Sequence, residues 1–162
     1  MGTSTQKINS PIEYICSFPE RKRRLTADFK DAHERHWDDA EHLYSGMRLP
    51  NADQLYGLSA ECGLKHLMSR FGMQVDPNTG SPADKKDRIH ADGLWSRFEA
   101  YLSGHPQATG YVLGLPNPFS DWEISQRYFP RHYFNTSRTR AHKEGADEVR
   151  RLVGKALREG LI

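Results

Sequence analysis

The sequence predicts an all-α protein, an up-and-down bundle of four main helices plus one short helix. Apolar residues recur at spacings of three and four over long stretches, and strand-like alternation extends over only a few residues. Glycine and proline interrupt the chain between these periodic stretches. A chain of 162 residues suffices for one domain with its own core and hardly for two. We therefore expect a flexible lead-in over 1–19 and a single helical domain over 20–162.

The first main helix is predicted from Leu25 to about Met47, because its apolar residues form one stripe. Leu49-Pro50 is expected to end it, and Asn51 is expected to cap the second helix. The second helix, Asn51 to Met68, is apolar over most of its circumference, which is typical of a helix buried on several sides. We therefore expect it to be the central member of the bundle, with antiparallel neighbours.

The remaining elements follow from similar signals. A loop is predicted over 73–84, a third helix over about 85–102, and irregular chain over the glycine- and proline-rich residues 104–120. Ser120 with Glu123 forms a capping-box pattern for a short helix ending before Pro130, and Thr136 or Ser137 is expected to cap the last helix. The three tryptophans are expected in the core: Trp37, Trp95 and Trp122.

Composition narrows the class of protein. The net charge is only +2, although basic residues cluster at Arg21–Arg24 and between Arg127 and Lys143, which permits a nucleic-acid contact without requiring one. Cys16 and Cys62 lack metal-ligand spacing, so we expect a reduced, cytoplasmic protein. Neither a signal-peptide core nor an apolar run of membrane-spanning length is found in the sequence, so we expect no membrane partner.

Several short motifs resemble bacterial HEPN-domain proteins over roughly residues 25–158. They are His36–Leu43, Asn51–Leu55, Ser59–Lys65, which contains an alanine–glutamate–cysteine–x–leucine–lysine signature, and Trp122–Tyr128. The resemblance implies an up-and-down helical bundle that dimerises. Many members are metal-independent ribonucleases in toxin–antitoxin, CRISPR and other defence systems. Others are non-catalytic and bind a partner, often a small nucleotidyltransferase.

The resemblance also implies a signature for the ribonucleases, an arginine separated from a histidine by four to six residues. Arg127 and His132 fit it with a spacing of four. Metal-independent RNA cleavage needs a base near neutral pKa for the 2′-hydroxyl proton and a forked cation for the phosphate, which histidine and arginine supply. Pro130 prevents the two from sharing one continuous helix. A structural role for both residues is an equally good interpretation.

Other residues are candidates for supporting or substrate-binding roles. Arg138 and His142 are one turn apart, but their spacing of three misses the signature. Glu61 and Lys65 have the spacing of an ordinary helix ion pair, and Glu61 could instead hold Arg127 across the bundle. The remaining candidates are Tyr133 beside the Arg127–His132 pair, Arg131, and His90, which could face the same cleft.

We thus expect an RNA-binding homodimer, a candidate endoribonuclease with a composite site at the dimer cleft. The alternative is a non-catalytic nucleotide- or protein-binding module paired with a nucleotidyltransferase or another operon protein. No cofactor is expected. The histidines of the first helix, with Asp38 or Asp39, give no convincing set of metal ligands, so no metal is expected either.

Overall fold

The all-α class and the four main helices are confirmed. The computed structural model describes residues 25–114 and 116–162. The helices are α1 Phe29–Ser45, α2 Leu49–Arg70, α3 Ala91–Leu102 and α4 Thr136–Arg158, with short 3₁₀ turns at Lys85–Asp87, Ala108–Gly110, Ile124–Tyr128 and Arg131–Tyr133. Within this described part, β-pairing is limited to an isolated bridge between Val75 and Pro82. The predicted lead-in, the Arg21–Arg24 cluster and Cys16 lie outside the described residues.

Helix α2 is the central helix, as its apolar circumference predicts. It packs against α1, α3 and α4, and residues over most of its circumference are buried. The remaining side is a half-buried stripe of Leu55, Leu58, Cys62 and His66. Gly57 allows a close approach, because a Cβ there would overlap the Trp122 indole. All three tryptophans are buried, in agreement with their predicted place in the core. None of the described helices has the combined length and apolarity needed to cross a bilayer.

Helices α1 and α2 are antiparallel, as expected for neighbours joined by a short turn. The His33 ring near the start of α1 is 2.8 Å from the Ser59 carbonyl, and Glu41 near its end accepts a 2.6 Å hydrogen bond from the Tyr56 hydroxyl. A later residue of α1 thus contacts an earlier residue of α2, as antiparallel helices require. The turn between the helices places Met47 at a φ of 56°.

Helices α2 and α4 run in the same general direction. Asp53 on α2 contacts His142 on α4, and further along, a Cβ at Gly63 would lie 2.6 Å from Val149. Antiparallel packing therefore does not extend to this pair. The chain between α3 and α4, residues 103–135, is long enough to cross the bundle before α4 begins.

The start of α2 differs from the sequence prediction. The helix begins at Leu49 after Arg48, whose side chain makes no capping hydrogen bond, and Pro50 lies in its first turn. Proline is well tolerated there, because its fixed φ suits a helix and the first-turn amides need no helical partner. Leu49-Pro50 therefore starts the second helix, and Asn51 is a helical residue.

The other helix ends also shift by a few residues. Helix α1 starts at Phe29, because Asp28 accepts hydrogen bonds from the Lys30 and Asp31 amides. The predicted third helix is divided into a 3₁₀ turn at Lys85–Asp87 and α3 from Ala91. Asn135, one residue before the predicted cap, accepts from the Arg138 amide and starts α4.

The predicted capping box at Ser120 and Glu123 does not form. Glu123 accepts from the Ser125 hydroxyl, and the segment Ile124–Tyr128 is a 3₁₀ turn with no side-chain cap.

Candidate functional site

Asp53, one turn into α2, lies at the centre of a buried polar network. Its side chain is 0% exposed and accepts hydrogen bonds from His142 Nδ1 at 2.8 Å and Gln126 Nε2 at 2.7 Å. The Trp122 indole donates to the Asp53 carbonyl at 3.1 Å. The network therefore fixes α2, α4 and the chain before α4 relative to one another, and it satisfies a carboxylate that would be costly to bury alone.

Arg138 and His142 converge on a second carboxylate, that of Asp121. His142 Nε2 is 3.0 Å from Asp121 Oδ1, and an Arg138 terminal nitrogen donates to Oδ2. The other terminal nitrogen of Arg138 donates to the Asp121 carbonyl at 2.6 Å and to Gln126 Oε1 at 3.0 Å. The His142 ring therefore lies between two carboxylates, with Asp53 at one ring nitrogen and Asp121 at the other.

The sequence pointed to Arg138 and His142 as a pair but not to their partners. Asp53 is one of the few charged residues on the mostly apolar α2, and that signal could have singled it out. Its connection to His142 spans 89 residues of chain, which no local pattern reveals. Asp121 is 58% exposed and carries no sequence signal of its own.

A basic cavity of about 440 Å³ adjoins this network at the start of α2. We call it the arginine cavity, because Arg48, Arg127 and Arg131 line it. The other lining residues are Met47, Leu49, Pro50, Asn51, Gln126, Phe129 and Phe134. No carboxylate is among the lining residues, and within the described chain none of the three arginines forms an ion pair. Gln126 joins the cavity to the network through Asp53 and Arg138.

Arg127 and His132 occupy two successive 3₁₀ turns separated by Pro130, so they do not share a continuous helix. Both side chains are exposed. Arg127 lines the arginine cavity with its guanidinium 4.8 Å from the Tyr128 ring, whereas His132 is outside the lining. No described side chain or backbone group hydrogen-bonds to the His132 ring, so none fixes its tautomer or orientation.

Tyr133 lies close to the network. Its ring centre is 4.8 Å from the Arg138 guanidinium, and it makes edge contacts with Phe129 and Phe134. The Tyr133 side chain remains partly exposed, so it presents an aromatic surface beside the arginine cavity.

Glu61, Lys65 and His90 form a second cluster, separate from the arginine cavity. Glu61 Oε1 accepts from Lys65 Nζ at 2.7 Å, and Oε2 accepts from His90 Nδ1 at 2.9 Å. The predicted helix ion pair is therefore present, but Glu61 does not hold Arg127, because both its oxygens are engaged here. Glu61 is eight residues beyond Asp53, about 12 Å along α2.

Other reactive groups do not converge. Burial raises the pKa of the Cys62 thiol to about 12, which leaves it protonated and a poor nucleophile near neutral pH. Across residues 25–114 and 116–162, no three histidine, cysteine or carboxylate side chains are grouped so as to hold a metal ion.

Comparisons with protein-family models, with curated proteins and with solved structures found no match. The HEPN resemblance therefore stays a prediction from short motifs.

Proposed function

We propose that the protein binds single-stranded RNA at the arginine cavity. The observation that carries this proposal is that three guanidinium groups without a described acidic partner line one cavity. Guanidinium groups recognise phosphate through paired, charge-assisted hydrogen bonds. Arginines with no carboxylate beside them would gain most from an incoming anion, since they need not first break an ion pair.

Exposed aromatic rings beside the cavity favour a nucleic-acid strand over a lone phosphate. Tyr128 is 77% exposed and Tyr133 is 42% exposed, and each ring lies against an arginine. Unpaired RNA bases stack on such aromatic surfaces, while duplex RNA keeps its bases paired inside the helix. A base on Tyr128 or Tyr133 with its phosphate in the cavity would use both features.

Cleavage of the bound RNA is the second part of the proposal, and it keeps the HEPN interpretation. His132 would take the 2′-hydroxyl proton, and the 2′-oxygen would attack the adjacent phosphorus while Arg127 stabilises the added negative charge. The 5′-oxygen would leave with a proton taken from the His132 imidazolium or from water, giving a 2′,3′-cyclic phosphate and a 5′-hydroxyl end. The exposure of both side chains supports this step. A cytoplasmic homodimer with a composite cleft, acting in defence or toxin–antitoxin systems, belongs to the same proposal.

A non-catalytic binding module is the second candidate. The observation that favours it is that no described group orients the His132 imidazole, whereas a general base is normally held by a hydrogen bond. In that case the arginine cavity would hold RNA or a nucleotide without cleaving it. A nucleotidyltransferase-like or other protein partner would then carry any chemistry.

Binding of a fluorescent single-stranded RNA, measured by anisotropy, tests the proposal. We expect Arg127→Ala and Arg131→Ala each to weaken binding about tenfold, as loss of a charge-assisted hydrogen bond does. Each should also reduce the slope of log affinity against log salt by about 0.7, because one fewer counterion is released. Arg70→Ala is the matched control, since Arg70 is exposed at the far end of α2, about 30 Å away.

The outcomes separate the two candidate functions. If Arg70→Ala weakens binding as much as Arg127→Ala, or if the wild type does not bind RNA, the arginine cavity is not an RNA site. Incubation of the same RNA with a chelator present tests cleavage, which His132→Ala should abolish while leaving binding intact. RNA that stays whole but bound would establish the binding module. Light scattering of each variant would show whether a dimer accompanies activity.

A further inference from the structure

A second cavity, of about 520 Å³, lies on another part of α2. It is an open cavity bordered by α2, by the chain around the start of α1, by the loop 76–82 and by residues 88–90. It is lined by Ala27, Phe29, Lys65, Asp76, Thr79, Ser81, Pro82, Arg88 and His90. The Ala27 amide donates to the Thr79 carbonyl at 2.7 Å, which holds the loop against the chain before α1. Gly80 makes this approach possible, because its φ is +68° and a Cβ would lie 2.5 Å from the Ala27 carbonyl oxygen.

Lys65 brings a buried positive charge to this cavity. Its side chain is only 7% exposed, and its described hydrogen-bond acceptor is Glu61 Oε1. An ammonium group has three N–H donors, so two of them have no acceptor among the described groups. Buried donors without acceptors are costly, and an anion in the cavity would satisfy them.

His90 presents an oriented imidazole at the same cavity. Its Nδ1 must donate to the Glu61 carboxylate, because a carboxylate only accepts hydrogen bonds. This contact fixes the ring orientation and leaves Nε2 without a described partner on a side chain that is 46% exposed. A carboxylate-held histidine with one open nitrogen is a common arrangement in ligand and proton-transfer sites.

Arg88 supplies a third cationic group. Its Nε donates to the Pro82 carbonyl at 2.8 Å and one terminal nitrogen contacts the Ala83 carbonyl at 3.3 Å, so the guanidinium is held in place with its other terminal nitrogen uncommitted. Two carboxylates supply the opposing charge. Asp76 accepts hydrogen bonds from the Asn78 and Thr79 amides in its own turn, and Glu61 is engaged by Lys65 and His90.

We propose that this cavity binds the phosphate group of a small organic phosphate, at a site separate from the arginine cavity. Lys65, Arg88 and His90 offer three donor groups, which match the three terminal oxygens of a phosphate monoester better than the two of a carboxylate. The Phe29 ring, 6.0 Å from Lys65 Nζ, supplies an apolar wall for the organic part of the ligand.

Calorimetric titration with phenyl phosphate and with inorganic phosphate, at matched ionic strength, tests this proposal. We expect saturable binding, tighter for phenyl phosphate, with about tenfold weakening in His90→Gln and in Arg88→Gln. Both side chains are exposed, so these variants should fold. Arg151→Ala is the control and should leave phosphate affinity unchanged, because Arg151 is an exposed residue of α4 that lines neither cavity. His90→Gln and Arg88→Gln should leave RNA binding unchanged, so failure of either proposal is visible independently of the other.

Two results would overturn the proposal. One is the absence of saturable binding of either phosphate to the wild type. The other is binding that survives His90→Gln and Arg88→Gln but is lost in Arg127→Ala, which would place the phosphate in the arginine cavity. NMR gives a second readout: the chemical shifts of the His90 ring protons should change when phosphate is added to the wild type. Unchanged His90 chemical shifts at saturating phosphate would also contradict this site.

Discussion

At the scale of single residues, Asp53 shows how one buried carboxylate organises a site. Removal of the water around Asp53 is offset by His142, Gln126 and Arg138, whose Nε is 3.7 Å from Asp53 Oδ2. The same contacts hold Gln126 at the wall of the arginine cavity. Asp53 therefore supports the proposed RNA site without lining it.

Replacement of Asp53 is expected to be strongly destabilising. In Asp53→Ala, the buried Arg138 guanidinium loses a counterion and the His142 ring loses its hydrogen-bond partner, so the free energy of unfolding should fall by about 3–5 kcal/mol. Urea unfolding followed by circular dichroism measures this. Asp121→Ala is the matched comparison, since Asp121 is 58% exposed and water can replace it, so its loss should cost about 1 kcal/mol or less. If the free energy of unfolding fell equally in the two variants, the burial of Asp53 would not be what makes its contacts important for stability.

At the scale of helices, local patterns predict the helices better than their ends. The apolar periodicity places all four main helices, because a buried helix face must repeat every three to four residues. The start of α2 and the division before α3 depend on weaker effects. A proline is compatible both with the end of one helix and with the first turn of the next, so Pro50 does not by itself fix the boundary. The 3₁₀ turn before α3 is held by Asp87, whose carboxylate accepts hydrogen bonds from Arg97 Nε at 2.6 Å and from the Tyr101 hydroxyl at 2.7 Å.

Two helical glycines are expected to respond oppositely to alanine. Gly57→Ala places a methyl group against the buried Trp122 indole, which should destabilise the protein by about 1–3 kcal/mol. In α4, a Cβ at Gly154 would meet only the end of the Arg158 side chain, at 3.4 Å, so Gly154→Ala should stabilise by about 0.5–1 kcal/mol through better helix propensity. Thermal and urea unfolding measure both. If Gly57→Ala unfolded with the same free energy as the wild type, the close packing of Trp122 on α2 would be contradicted.

At the scale of the whole molecule, the α1–α2 interface links stability to pH. Burial lowers the pKa of His33 and His36 on α1 and of His66 on α2 below their ordinary value of 6.5. Unfolding exposes these rings, so below that pH the unfolded chain binds more protons than the native protein. The contribution of these neutral, buried histidines to stability is therefore complete above pH 6.5, and it is lost as the pH falls through their lower folded-state pKa values.

Acidification should therefore destabilise the wild type more than a variant without these rings. We expect the fall in urea midpoint between about pH 7.5 and about pH 5.5 to be smaller in His66→Gln than in the wild type, since one protonation linked to unfolding is removed. His132→Gln, which changes an exposed side chain, is the control for loss of a histidine as such. An unchanged pH dependence in His66→Gln would contradict the assigned role of burial.

The two proposed sites differ in how far the sequence predicts them. The Arg127–His132 pair, Tyr133 and Arg131 are adjacent in sequence, so a local motif was enough to select them. The residues that complete each site are distant along the chain: Arg48 precedes Arg127 by 79 positions, and Glu61 precedes His90 by 29. From the sequence, Glu61 was a candidate partner of Arg127 and His90 a candidate for the same cleft. In the folded chain Glu61 instead contacts Lys65 and His90, which line a separate cavity.

The sequence by itself determined that the protein is helical, which stretches form its main helices and that α2 is central, because helix periodicity and apolar content are local properties. The tertiary structure decided which side chains meet: Asp53 with His142, Glu61 with His90, and Arg48 with Arg127 and Arg131 at one cavity. These contacts depend on the relative directions of the helices and on the path of the chain between α3 and α4. No pattern within a few residues carries that information.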